Sequence, residues 1–241
     1  LAERLGLGVP DLPWHAERDR VAEIAAALGV VSGAMAKIAT DLVLLAQTEV
    51  GEVSEGAAPG KGGSSAMPQK RNPVDATFAL AAARLAMGAV PVVLSGMAQE
   101  QERAVGGWQA EWEALPDLFL ATASAVERVR QALDGLEVDA VRMRENLGMG
   151  GGLLLSESLT MALARRVGRP AAYRLVQAAV ARVREDGTTL RDAALADEQI
   201  RAVLSEDEID QALDPAGYIG SADVFIDRAL VRYREVRAAV Q

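Results

Sequence analysis

The sequence predicts an all-α protein, a long-helix bundle of the kind that forms an oligomer core followed by a small C-terminal helical domain. Three observations point there. Half of the 241 residues are hydrophobic but only 4% are aromatic. Alanine is abundant among the hydrophobic residues, and it has the best helix propensity and lets helix axes approach closely. Apolar residues recur at helical spacing through Val21, Ile24, Ala25, Leu28, Val31, Met35, Ile38, Leu42 and Leu45. No stretch reads as a convincing strand, so none is expected.

Pro13 stands where a first helical turn would begin, and no proline interrupts His15–Glu49. A helix of that extent spans roughly 50 Å, a length that suits a bundle or an oligomer core. The glycine-rich stretch Gly51–Gly63 follows. Asn72-Pro73 reads as the N-cap and first turn of a second helix reaching about Arg103, with Pro91 as an expected kink. Gly106-Gly107 breaks it. A third long helix covers about Trp108–Leu133, and Gly135 ends it. Shorter helices follow over about Asp139–Leu147, Leu153–Val167, Ala171–Glu185 and Ala222–Val240, with Gly168 and Gly187 as C-terminal stops. Ser205 and Glu208 have the spacing of a capping box. The shortening of the helices places a domain boundary near Leu136: residues 1–136 form the bundle, with the loop 51–73, and 137–241 the small domain. Met143 and Met149 read as core. The charged stretches Arg182–Asp186 and Glu206–Asp210 read as solvated faces.

Composition excludes several chemistries. There is no cysteine and one histidine, His15. Disulfides, thiol nucleophiles, Cys-based clusters and a His-rich metal site are therefore ruled out, and no metal or cofactor is expected. The net charge of −9 argues against a nucleic-acid partner. No uninterrupted apolar run reaches the roughly 18 residues of a membrane span, and no signal peptide opens the chain, so a cytoplasmic protein is expected. Leu1 opens what reads as an ordered segment, so a fragment is expected.

Several motifs fail on detail. Gly56–Lys61 resembles a phosphate-binding loop, but Glu55 replaces its first glycine and Gly62 its hydroxyl residue. Gly148–Gly152 lacks dinucleotide-fingerprint spacing. Ser64 and Ser65 sit in neither a nucleophile elbow nor a Ser-x-x-Lys pair.

The loop Gly62-Gly63-Ser64-Ser65-Ala66-Met67-Pro68-Gln69-Lys70-Arg71-Asn72-Pro73 is different. Its glycines allow close approach of backbone N–H groups to a ligand. Its serines supply hydroxyls, Lys70 supplies a cation, and Asn72 sits at a helix start, where anions are favoured. No acid lies between Gly56 and Val74. A hydroxyl beside a cation can exchange a proton with a carbon next to a carboxylate while charge spreads onto the carboxylate oxygens. A serine becomes a base at neutral pH only with such a cation and a closed, desolvated loop.

Gly-Ser-Ser-Ala-Met-Pro-Gln-Lys-Arg-Asn-Pro resembles, position for position, the signature loop of the fumarase/aspartase superfamily, and the resemblance runs along essentially the whole chain. It implies a homotetrameric helical core followed by a small helical domain. It implies that Ser64 is the mobile-loop catalytic serine with Ser65 beside it, that Lys70 and Asn72 hold the substrate carboxylate and the forming carbanion, and that Met67 belongs to the substrate-binding set. Many lyases of the superfamily carry a Glu five residues after the loop's Asn, partnered by a His of another subunit. Thr77 stands there instead. The branch acting on 3-carboxy-cis,cis-muconate also lacks that Glu, and Pro13-Trp14-His15, Arg18-Asp19-Arg20, Glu102-Arg103, Gly106–Trp112, Asn146-Leu147 and Gly151-Gly152-Leu153 resemble that branch.

That resemblance implies cycloisomerisation of 3-carboxy-cis,cis-muconate to 4-carboxymuconolactone in protocatechuate degradation. The alternatives are an adenylosuccinate-lyase-like eliminase and a non-catalytic helical assembly protein. The substrate would be a small polycarboxylate, with Lys70, Arg71 and Arg103 as its anchors and Arg18 or Arg20 contributing. His15 reads first as a capping or surface residue with substrate binding as its second role, and Trp108 and Trp112 as helix packing. The superfamily's other two active-site segments lie upstream of the region present, so these 241 residues alone are expected to be inactive.

Overall fold

The computed structural model describes residues 2–12, 14–56, 71–103 and 105–240. Ser64, Ser65, Met67 and Lys70 lie outside the described residues. The chain divides into two compact units, Leu1–Arg142 and Met143–Gln241.

The first unit opens with the single turn α1 (Ala2–Leu5) and is built on α2 (Asp19–Leu45), α3 (Val74–Ser95) and α4 (Gly107–Asp134). Early α2 meets late α3: Val21 and Ala25 pack with Ala86 and Val93, and Leu118 of α4 joins them. Farther along, Ala82 and Ala83 pack against Ala125, Met35 and Ala36. α3 therefore runs antiparallel to both α2 and α4, which run parallel to each other. The core is mostly small side chains, which set a short interaxial distance. A Cβ on Gly29 would lie 3.0 Å from the Val90 side chain, so the α2–α3 approach depends on that glycine. Ser32 and Thr122 are buried inside the bundle and share a hydroxyl–hydroxyl bond of 2.9 Å.

Three expectations need correction. The helix predicted to reach Arg103 ends at Ser95 with Gly96 as its C-cap. Gly96 lies against Glu111, where a Cβ would be 2.7 Å from its carboxylate, and this close packing turns the chain. A strand pair exists where none was expected: β1 (Val53–Ser54) pairs antiparallel with β2 (Glu137–Val138). Two residues are too few to show a period of two. This pairing, extended by Asp139 N–H donating to the Glu52 carbonyl at 2.9 Å, ties 137–139 to the bundle, so the units part after Arg142 rather than at Leu136. Finally, α2 and α3 are both long and apolar enough to cross a membrane by length and composition. Single charges scattered along them hide this from a search for uninterrupted runs.

Between the strand pair and the second unit's own helices lies α5 (Ala140–Gly148). Met143 is only half-buried and Met149 is exposed, so neither is the core residue expected. The second unit comprises α6 (Ser156–Val167), α7 (Arg169–Asp186), α8 (Leu190–Leu195), α9 (Glu198–Arg201), α10 (Glu206–Ala212) and α11 (Ala222–Val240). Its core joins Leu159, Leu163, Val176, Leu190, Ile200 and Ile209. Gly187 closes α7 in the left-handed region at φ 68°, as its position predicts. Each short helix starts on a side-chain acceptor: Thr189 for α8, Asp197 for α9 and the Ser205–Glu208 capping box for α10.

Candidate functional site

At the N-terminal end of α3, a cleft of about 1380 Å³ is lined by Thr48, Arg71, Asn72, Thr77, Phe78 and Glu137, among others. Arg71 donates to the Glu137 carboxylate at 2.7 Å and reaches the Ser54 hydroxyl at 3.4 Å. Both partners of this ion pair are about half exposed, so the pair is worth little and can open to another anion. Asn72 lines the cleft but is not the N-cap: that position is Pro73, with no side-chain cap of its own. The first amides of α3 instead meet a residue the sequence does not single out. Glu55 accepts from the N–H of Asp75 at 3.1 Å and of Ala76 at 2.8 Å. Nothing local signals this contact, because twenty residues separate its partners.

The other predicted anchors lie elsewhere. Arg18 precedes α2 and is held by Glu111, its Nε donating at 3.1 Å and a terminal nitrogen completing a two-point ion pair. Its other terminal nitrogen donates to the Trp14 carbonyl at 2.8 Å. The Arg18 and Glu111 side chains are 11% and 3% exposed, so Arg18 is committed to the fold rather than offered to a ligand. Arg20 lies 5.1 Å over the Trp14 ring. The His15 ring meets Trp108 edge-on at 5.4 Å, and Trp108 meets Trp112 at 5.6 Å. His15 thus joins an aromatic row fastening the N-terminal segment to α4. Arg103 is exposed in the connection between α3 and α4.

Arg71 and Asn72 precede the first turn of α3, and Arg103 follows its last. The helix has 22 residues, roughly 33 Å at 1.5 Å per residue. One copy of the bundle therefore keeps the two groups of candidate residues apart.

Residues 1–88 match the family described as Lyase, and residues 152–229 match the family described as Adenylosuccinate lyase C-terminus. The chain is 48% identical, over 97% of its length, to the 3-carboxy-cis,cis-muconate cycloisomerase of Pseudomonas aeruginosa, covering 51% of that protein. In sequence and fold the chain resembles the fumarase/aspartase superfamily. Within the superfamily, the crystal structure of the 3-carboxy-cis,cis-muconate lactonizing enzyme from Pseudomonas putida superposes with a TM-score of 0.90 at 44% identity, over 97% of this chain and 52% of that one. A nitrosuccinate lyase of Streptomyces davaonensis is 38% identical over 95% of this chain and 48% of its own length. The chain spans about half the length of these superfamily relatives.

Proposed function

We propose that this chain carries the loop-bearing part of a cycloisomerase that converts 3-carboxy-cis,cis-muconate to 4-carboxymuconolactone. The observation that carries the reading is the unbroken loop Gly62–Pro73 in a chain 48% identical to a named cycloisomerase. In the reaction one carboxylate oxygen of the substrate bonds to an alkene carbon. The alkene electrons move towards the adjacent carboxylate, and the neighbouring carbon takes up a proton. Ser64 provides the hydroxyl that delivers or takes back this proton. Lys70 and Asn72 hold the carboxylate onto which charge spreads, with Ser65 and Met67 lining the same loop. Preorganised donors of this kind supply about 2.7–4 kcal/mol each. Arg71 meets a second carboxylate by exchanging its exposed Glu137 partner for substrate. Arg103 anchors a third from another copy, since α3 separates it from Arg71.

The functional assembly is a homotetramer. Val30, Leu85 and Leu120 are 75%, 72% and 70% exposed on α2, α3 and α4, and faces this apolar suit helix–helix burial between copies. That burial also accounts for two helices of membrane-span character in a protein we place in the cytoplasm. No cofactor takes part.

Protein expressed from the complete reading frame should consume 3-carboxy-cis,cis-muconate, followed as loss of its ultraviolet absorbance. Absence of turnover defeats the proposal. The similarity to a nitrosuccinate lyase favours one second reading, a β-eliminating lyase, against which Thr77 stands. Release of fumarate from adenylosuccinate would select it.

A further inference from the structure

We infer that Glu55 is a positioning residue of this reaction: by capping α3 it fastens together the two ends of the segment that carries Ser64, Lys70 and Asn72. The inference rests on the function proposed above and assigns a role to a residue outside the signature loop.

Glu55 directly follows β1, and its side chain is buried, 7% exposed. Its two carboxylate oxygens accept from the start of α3, one from the Asp75 N–H and one from the Ala76 N–H. These amides sit at the positive end of the helix dipole and have no partner within the helix. Two contacts hold Glu55 in place from its own side. Val53 pairs with Val138, and Gly56 lies so close to Gly135 that a Cβ would be 2.6 Å from its carbonyl oxygen. On the helix side, Asp75 is 3% exposed and accepts from Arg128 at 2.7 Å. The Arg128 guanidinium lies 5.5 Å over the ring of Phe78, which lines the cleft together with Asn72.

A carboxylate of the protein thus occupies the helix terminus that would otherwise attract a substrate carboxylate. Substrate is then held by side chains rather than by this helix terminus, and Glu55 and the start of α3 are held at a fixed separation. Loss of Glu55 would free the exit, with Arg71 and Asn72, from its register with the entry.

Protein from the complete reading frame is tested as Glu55→Ala and Glu55→Gln. Glu55→Ala should lower kcat roughly tenfold to hundredfold, the penalty of misplaced reacting groups, with a smaller change in KM. Added acetate or formate should restore kcat several-fold well below the melting temperature, because a small carboxylate fills the vacated pair of N–H donors. Neither anion should stimulate the wild type, and Glu55→Gln, which keeps one acceptor, should fall between. Amide exchange at Asp75 and Ala76 should accelerate in Glu55→Ala. Wild-type kcat in Glu55→Ala, unchanged exchange at these amides, or a loss that tracks the unfolded fraction and responds to no anion would overturn the inference. A wild type without turnover sinks the proposed function instead, and the exchange arm still decides whether Glu55 holds the helix start.

Discussion

Two arginines that look alike in the sequence have opposite fates. By sequence, Arg103 is a main anchor for a polyanion and Arg18 a contributing one. Arg18 is buried against Glu111 by a two-point ion pair, whereas Arg103 is exposed. Breaking a buried pair leaves an uncompensated charge and costs about 3–5 kcal/mol. Arg18→Ala should therefore lower the melting temperature strongly, while Arg103→Ala should leave it within a degree or two and raise KM. Thermal melts paired with steady-state kinetics separate the two, and equal melting losses would contradict this assignment. The residues of the loop are legible because their chemistry is local: hydroxyls, a cation and glycines within twelve positions. Glu55, Glu111 and Glu137 are not, since each acts on a partner far along the chain.

Helix existence is written in local pattern and helix ends only partly so. The apolar spacing from Val21 to Leu45 marks α2, and Gly135 and Gly187 mark true ends. The end of α3 at Ser95 depends instead on Gly96 lying against Glu111 of another helix. The short α8 and α9 escape notice because six and four residues carry too little periodicity, although Thr189 and Asp197 sit as caps. Replacing Ser205, whose hydroxyl accepts from the Glu208 N–H, with Ala should destabilise the second unit by about 1 kcal/mol. Its pH response has a definite sign. The Ser205 amide, with Arg166, holds the Glu208 carboxyl below its ordinary value of 4.5, and Arg191 holds Asp210 below 3.8. Carboxyls depressed in the folded state stabilise above their unfolded pKa, and that contribution disappears as pH falls through the folded one. Melting temperature should thus decline as pH drops below about 4.5, and Arg166→Ala together with Arg191→Ala should flatten the decline. An unaltered slope in the double variant would refute these partners.

For the whole molecule, the separation of Arg71 and Asn72 from Arg103 by the length of α3 is the governing fact. In the assembly proposed above, a single site drawing on both groups would be built from more than one copy, and the exposed apolar faces of α2, α3 and α4 suit such an assembly. At low substrate concentration, mixed assemblies of Lys70→Met and Arg103→Ala subunits should exceed the activity of either variant alone, because some sites then receive an intact group from each. No recovery on mixing would place both groups in one copy's site, against the geometry. Sequence showed the helices and their apolarity. It could not show that Arg71 and Arg103 lie at opposite ends of one helix, because that depends on where the helix stops.

The most direct test of the central claim is the rate of 3-carboxy-cis,cis-muconate consumption by the complete protein carrying Ser64→Ala or Lys70→Met. Melting should be unchanged and kcat should fall about a hundredfold or more for each, the scale of losing one preorganised group. Either variant turning over at the wild-type rate would contradict it.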